Sequence, residues 1–230
     1  MKKIINNIIS FSKSFYGLII YFAVNIIFEY IIVRMPNLNT ITYSMLLISS
    51  ELVLTFLLIL IFKKRLKKDF IDFDKNYKKY LILGIKVWLI GIVVMAISNS
   101  IIYKFFTNSI AYNQEVNQMV MSKMPLFSVI GMIITGPFIE EIVFRLSFKE
   151  HLKNKVMFYV LTVLIFTGMH VLNGISSPLQ LLFFIPYGSL ALSFAYILDK
   201  TNNIFTTIII HTMHNSIAVV LIAIASIMGV

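Results

Sequence analysis

The sequence predicts an all-α polytopic membrane protein, with about seven transmembrane helices around an intramembrane polar site. Two features of composition and one of patterning predict it. Of the 230 residues, 59% are hydrophobic and 13% are charged, against about 25% charged in an average soluble domain. Mean hydropathy is +0.89. Apolar segments of about 20 residues, the length that crosses a hydrocarbon core, tile most of the chain. No stretch is left for a separate soluble domain, so residues 1–230 read as one integral membrane domain, with 1–125 as N-terminal spans and 126–230 as the core that carries chemistry.

Seven spans are expected, at about 16–33, 42–62, 80–103, 126–147, 156–173, 179–198 and 204–228. The start Met1-Lys2-Lys3 is charged like a signal n-region, but no small-residue cleavage pattern follows, so the first apolar run reads as a retained helix. Nine of the twenty Lys and Arg fall between Lys63 and Lys86. A basic segment between apolar spans marks the cytoplasmic side and attracts anionic lipid, so the net charge of +10 points to membrane lipid and not to nucleic acid. With Lys2, Lys3, Lys13, segment 63–79 and segment 149–155 inside, the alternation puts the N-terminus in and the C-terminus out. Segment 66–79 mixes charge with Phe70, Ile71, Phe73 and Tyr77; it reads either as an amphipathic helix on the inner leaflet or as a solvated basic loop. Segment 104–125 has room for a short re-entrant helix. Pro36, Pro125 and Pro178 punctuate span edges, whereas Pro137 and Pro186 lie inside spans and should kink them.

Ionisable groups inside apolar spans are costly and mark function. Glu140 and Glu141 are adjacent and point about 100° apart on a helix. Glu141 and Arg145, at i,i+4, can pair in the favourable order, which leaves Glu140 unpaired on its own helix. A desolvated carboxyl is suited to shuttling protons; the plainer reading is two glutamates reaching out to water at a helix end. Phe166 and His170 share a helix face, as do His211 and Asn215, with His214 beside them; the plainer reading is polar glue between helices. Glu140 and His170 each lie about 15 residues, or about 22 Å of helix, from the polar turn near Lys155. A hairpin turning there would set them at similar depth and permits a shared site in the cytoplasmic half.

The patterns Glu140-Glu141-x-x-x-Arg145, Phe166-x-x-x-His170 and His211-x-x-x-Asn215 resemble, in order and helix placement, the three motifs of the CAAX-protease and bacteriocin-processing family. These are intramembrane Abi-type proteases related to the eukaryotic prenyl-protein endopeptidase. The resemblance covers about residues 130–220. It implies a helical core with a water-accessible cavity and endopeptidase activity, with Glu140 as the water-activating residue. His214 is outside the family pattern.

Two mechanisms fit these residues. In one, Glu140 with His170 deprotonates water while His211 and Asn215 donate to the oxyanion. In the other, Glu140, His170 and His211 bind zinc; the absence of His-Glu-x-x-His weighs against the common zincin arrangement. In both, Glu141 with Arg145 is expected to hold the helix and orient Glu140. The chain has no cysteine and no Gly-x-Ser-x-Gly, which excludes thiol catalysis and disfavours an acyl-enzyme route. Two other classes stay open: a catalytically silent relative that regulates a membrane partner, and an ion-coupled transporter using Glu29 and Glu51, against which the lack of an inverted repeat counts. Ile-, Lys- and Asn-rich usage suggests a bacterial plasma membrane. Prenylated proteins are then poor candidate substrates, and peptide pheromone or bacteriocin precursors, or immunity to such peptides, are better ones.

Overall fold

A computed structural model describes residues 9–124, 127 and 129–228. Lys2, Lys3 and Pro125 lie outside the described residues. The architecture is all-α. Its helices are α1 (Tyr16–Val33), α2 (Thr40–Ile102), α3 (Tyr112–Lys123), α4 (Gly136–Glu141), α5 (Ser147–His151), α6 (Lys155–Val171), α7 (Phe184–Thr201) and α8 (Ile204–Met228). Four helical segments are long and apolar enough to cross a membrane: Ile9–Val33, Thr40–Thr107, Pro178–Thr201 and Ile204–Ser226. Their outward faces carry large apolar residues such as Ile26, Phe56, Ile90 and Leu221, as a lipid-facing surface requires.

Segment 63–79 is not a loop. It is the middle of α2, a helix of 63 residues that would run about 95 Å if straight. It cannot be straight, because both of its arms pack on the same core. In the first arm, Glu51 meets Thr135 and Arg65 meets Glu150. In the second, Gly84 abuts Ile210 and Trp88 donates to His214. The axis therefore reverses between Arg65 and Gly84, in a stretch without proline or glycine. At the turning point the helix is clasped by the start of α8. Asn203 Nδ2 donates to the carbonyl of Asp69 (2.7 Å) and to the carboxylate of Asp72 (2.9 Å). The Asp69 carboxylate in turn accepts the N–H of Ile204 (3.0 Å), at the start of α8. Arg65 completes the clasp, donating to Asp69 and to the carbonyl of Asn202 at 2.8 Å each. Residues 42–62 and 80–103 are thus two arms of one bent helix.

Asparagine also makes the sharp turns. Asn37, Asn108 and Asn202 all have positive φ, a conformation that asparagine tolerates better than most residues. Asn39 and Asn154 cap the starts of α2 and α6 through the N–H groups of Thr42 and Met157. The 104–125 segment contains α3, whose 12 residues are too few to cross a membrane. Pro186 does not kink a helix interior. It sits in the first turn of α7, after a 3₁₀ stretch over Pro178–Phe183, where its missing N–H would have had no helical acceptor.

The stretch expected as a span at 126–147 is a helix of changing pitch over its described part. Wide π-turns occupy Val129–Thr135 and Ile142–Leu146, on either side of α4. Such insertions rotate the side chains that follow and recur at functional sites. The core lies where this helix meets α1, the first arm of α2, α6, α7 and α8; Leu58, Ile142, Leu146, Phe158, Ala195 and Ile204 are fully or almost fully enclosed there.

Candidate active site

Pro137 explains how the helix is opened next to Glu140. In the π-turn series each N–H bonds the carbonyl five residues back, and the next donor in line for Met132 is residue 137. Proline has no N–H to give. Asn215 supplies the missing donor: its Nδ2 lies 2.8 Å from the Met132 carbonyl. This ties α8 to the turn that precedes α4.

Glu140 and Glu141 then face different surroundings, as their helical offset requires. Glu141 is fully buried. Its Oε1 accepts from Arg145 Nη1 (2.8 Å) and from His211 Nδ1 (2.7 Å). Arg145 is also fully buried. Its Nε and Nη2 find no hydrogen-bond acceptor, and its guanidinium lies instead on the face of Phe166, 4.0 Å from the ring centroid. That contact gives the motif phenylalanine a physical role, because an aromatic face is one of the few apolar surfaces that attracts a cation. Glu141 is thus hydrogen-bonded to His211 as well as to Arg145.

Glu140 is partly exposed and points the other way. Its Oε2 lies 3.8 Å from His170 Nε2 and 3.7 Å from His211 Nε2. These distances are too long for direct hydrogen bonds, and Oε2 is buried with no partner of its own. Tautomers follow from the other ring nitrogens. His170 Nδ1 sits 2.8 Å from the Phe166 carbonyl, which can only accept, so Nδ1 carries the hydrogen. His211 Nδ1 donates to a carboxylate held ionic by Arg145. In the neutral rings both Nε2 atoms are then lone pairs aimed at Glu140. Three acceptors converge on one point, an arrangement that suits a shared donor between them.

The rings are fixed by stacking. His170 lies against Phe166 (centroids 4.2 Å apart) and His211 against Phe194 (4.6 Å, 22° between planes). Phe194 carried no signal in the sequence, where it is one of many aromatics in an apolar span. His214 accepts from Trp88 Nε1 at 3.4 Å and does not join the cluster. Glu29 is exposed on α1, and Arg34 rests on Tyr30 instead of pairing with it.

Among the described residues no three His, Asp or Glu side chains are disposed to hold a metal ion.

In front of Glu140 and His170 opens a cavity of about 270 Å³, whose lining includes Tyr21, Asn25, Glu51 and Asn113. Asn113 belongs to α3, and Asn173, also in the lining, follows the end of α6. The cavity thus opens on the side of α3 and the end of α6. Glu51, which the transporter reading invoked, shares this cavity with Glu140.

Residues 122–217 match the family described as Type II CAAX prenyl endopeptidase Rce1-like. The chain is 29% identical over 103 residues to UPF0177 protein YbdI of Lactococcus lactis subsp. lactis (strain IL1403), covering 41% of this chain and 57% of that protein. It therefore spans little more than half the length of the curated relative it matches. No solved structure matches the chain.

Proposed function

We propose that this chain, whose residues 122–217 match the Rce1-like type II CAAX prenyl endopeptidase family, is a multi-pass membrane endopeptidase in which Glu140 activates water to cleave a peptide bond. The observation that carries this reading is the convergence of the Glu140 carboxylate on two imidazole lone pairs, 3.7 and 3.8 Å away. A water held among them loses a proton to Glu140 as its oxygen attacks the scissile carbonyl carbon. His211 then serves the leaving group. Taking at Nε2 the proton that Glu140 removed from water, it becomes an imidazolium whose charge is stabilised through Nδ1–H by Glu141. A buried carboxylate plays the same part for the histidine of hydrolytic triads. Passing that proton to the leaving nitrogen releases an amine, and the product carboxylate departs. Asn215 has one amide hydrogen left after Met132, and that is the donor we assign to the oxyanion.

We place seven crossings in the bilayer: α1, the two arms of α2, residues 129–151, α6, residues 178–201 and α8. The basic bend then lies inside and the cavity mouth outside, which suits a peptide or membrane-protein substrate met at the outer face of a bacterial plasma membrane. Reporter fusions ending in segment 63–79 and at the C-terminus should report opposite sides; the same side for both would overturn this orientation.

The direct test is incubation of the purified full-length protein, and of its Glu140→Gln variant, with a peptide library read by mass spectrometry. Defined cleavage products from the parent and none from a folded variant are expected. Products of equal yield from both would remove Glu140 from the chemistry.

A further inference from the structure

The cavity holds a second carboxylate that the mechanism above does not use. Glu51 projects from the first arm of α2 into the space in front of Glu140. It is fixed there from two sides. The Thr135 hydroxyl donates to Oε2, and the carboxylate lies so close to Gly131 that a Cβ on that glycine would come within 3.3 Å of both oxygens. Gly131 and Thr135 belong to the π-turn that leads into α4, so the position of Glu51 is registered to that of Glu140.

Nothing in the cavity neutralises these two acids. The chain carries a net charge of +10, yet among the described residues no Lys or Arg lines this space. Arg145, the guanidinium nearest in sequence, is sealed behind Glu140 against Glu141 and Phe166. The amides of the lining add to the imbalance. Asn25 and Asn173 turn their Nδ2 groups back to the carbonyls of Tyr21 and Met169, and Asn113 turns its own to the hydroxyl of Tyr187. Each presents its carbonyl oxygen, with one amide hydrogen left over. The cavity is therefore rich in acceptors, two of them carboxylates, and short of positive charge. The complementary ligand is an extended peptide that brings N–H groups and a cationic side chain, an ammonium with three donors or a guanidinium with five.

We propose that Glu51 is a specificity-determining residue, pairing with a lysine or arginine side chain of the peptide whose scissile bond lies at Glu140. This rests on the endopeptidase reading for the word scissile, but the binding claim stands on the cavity alone.

The absence of cysteine provides the test. Asn25→Cys or Asn173→Cys, each at the cavity wall, places a single thiol in the full-length protein, and its rate of maleimide labelling reports occupancy. Three blocked pentapeptides serve as probes, identical except for a central lysine, norleucine or glutamate. The lysine peptide should slow labelling at concentrations about 10- to 100-fold lower than the norleucine peptide, the range a charged hydrogen-bonded pair contributes. Glu51→Gln, which keeps an acceptor for Thr135, should bring the two peptides together. Glu51→Lys should make the glutamate peptide the better protector. Equal protection by lysine and norleucine in the parent, no protection by any peptide, or a lysine preference that survives Glu51→Gln each overturns the proposal; the first two comparisons need no change at Glu51. Because the readout is occupancy, a protein that binds the lysine peptide and never cuts it refutes the endopeptidase reading alone. One that cuts peptides without regard to charge refutes only the role of Glu51.

Discussion

Glu140 and Glu141 are neighbours in sequence and occupy opposite kinds of space. Glu141 sits in a sealed compartment with Arg145, His211, Phe166 and Phe194 around it. Glu140 looks into a cavity, its inner oxygen unpartnered. The same carboxyl group does structural work on one side of a helix and is available for chemistry on the other, and only the 100° offset between adjacent positions separates the two. The lesson is that access to the cavity, and not burial itself, distinguishes the reactive group.

The sharpest way to break this contrast is Arg145→Ala. It strands the Glu141 charge in the sealed compartment, at a cost of about 3–5 kcal/mol. Thermal unfolding of the purified variant should show a large loss, and activity should fall with it. A stable but inactive variant would move Arg145 from support to direct contact with substrate. Glu140→Gln probes the open side. A general base contributes about 100- to 10,000-fold, so cleavage rate should drop by that range while the melting temperature stays near that of the parent, since the group has no partner to lose. Unfolding on this substitution would mean the two glutamates are not different in kind.

Asn215→Ala tests the bridge between the sides. It leaves the Met132 carbonyl without a donor, at about 1–3 kcal/mol, and it removes the oxyanion donor, whose loss typically slows turnover about 100- to 1000-fold. A melting shift with rate unchanged would confine Asn215 to the helix opening at Pro137. The smallest effect is expected from Phe194→Leu. Loss of the stack on His211 should cost about 0.5–1.5 kcal/mol; its signature is a several-fold drop in turnover with little change in substrate binding, because only the ring's orientation is relaxed.

Much of this arrangement follows from local spacing. The pairs Glu141–Arg145 and Phe166–His170 are one helical turn apart, so their contacts are properties of single helices and can be read from the chain. What could not be read involves partners far apart in sequence. Nothing local tells that His211 Nδ1 belongs to Glu141, that Phe194 will stack on that imidazole, or that Glu51 will stand over Gly131. The bend of α2 was hidden for the same reason. Its charged middle has the composition of a connector, and the group that clasps it, Asn203, lies on another helix start. The open pitch beside Glu140 was half visible: Pro137 announced a missing donor, but not that Asn215 would replace it.

The bend of α2 also sets an order of events in biogenesis. Both of its arms are complete once residue 102 has been made, but the Asp69 carbonyl waits for an amide 134 positions further along the chain. Counted from residue 102, the wait for Asn203 is 101 residues, or about 5–20 seconds at about 5–20 residues per second of synthesis. During it the two arms are joined by a helix whose turning point still lacks its partners from residues 202–204. The crease is locked only when the α7–α8 hairpin arrives, so the last helices to enter the membrane fix the geometry of one of the first.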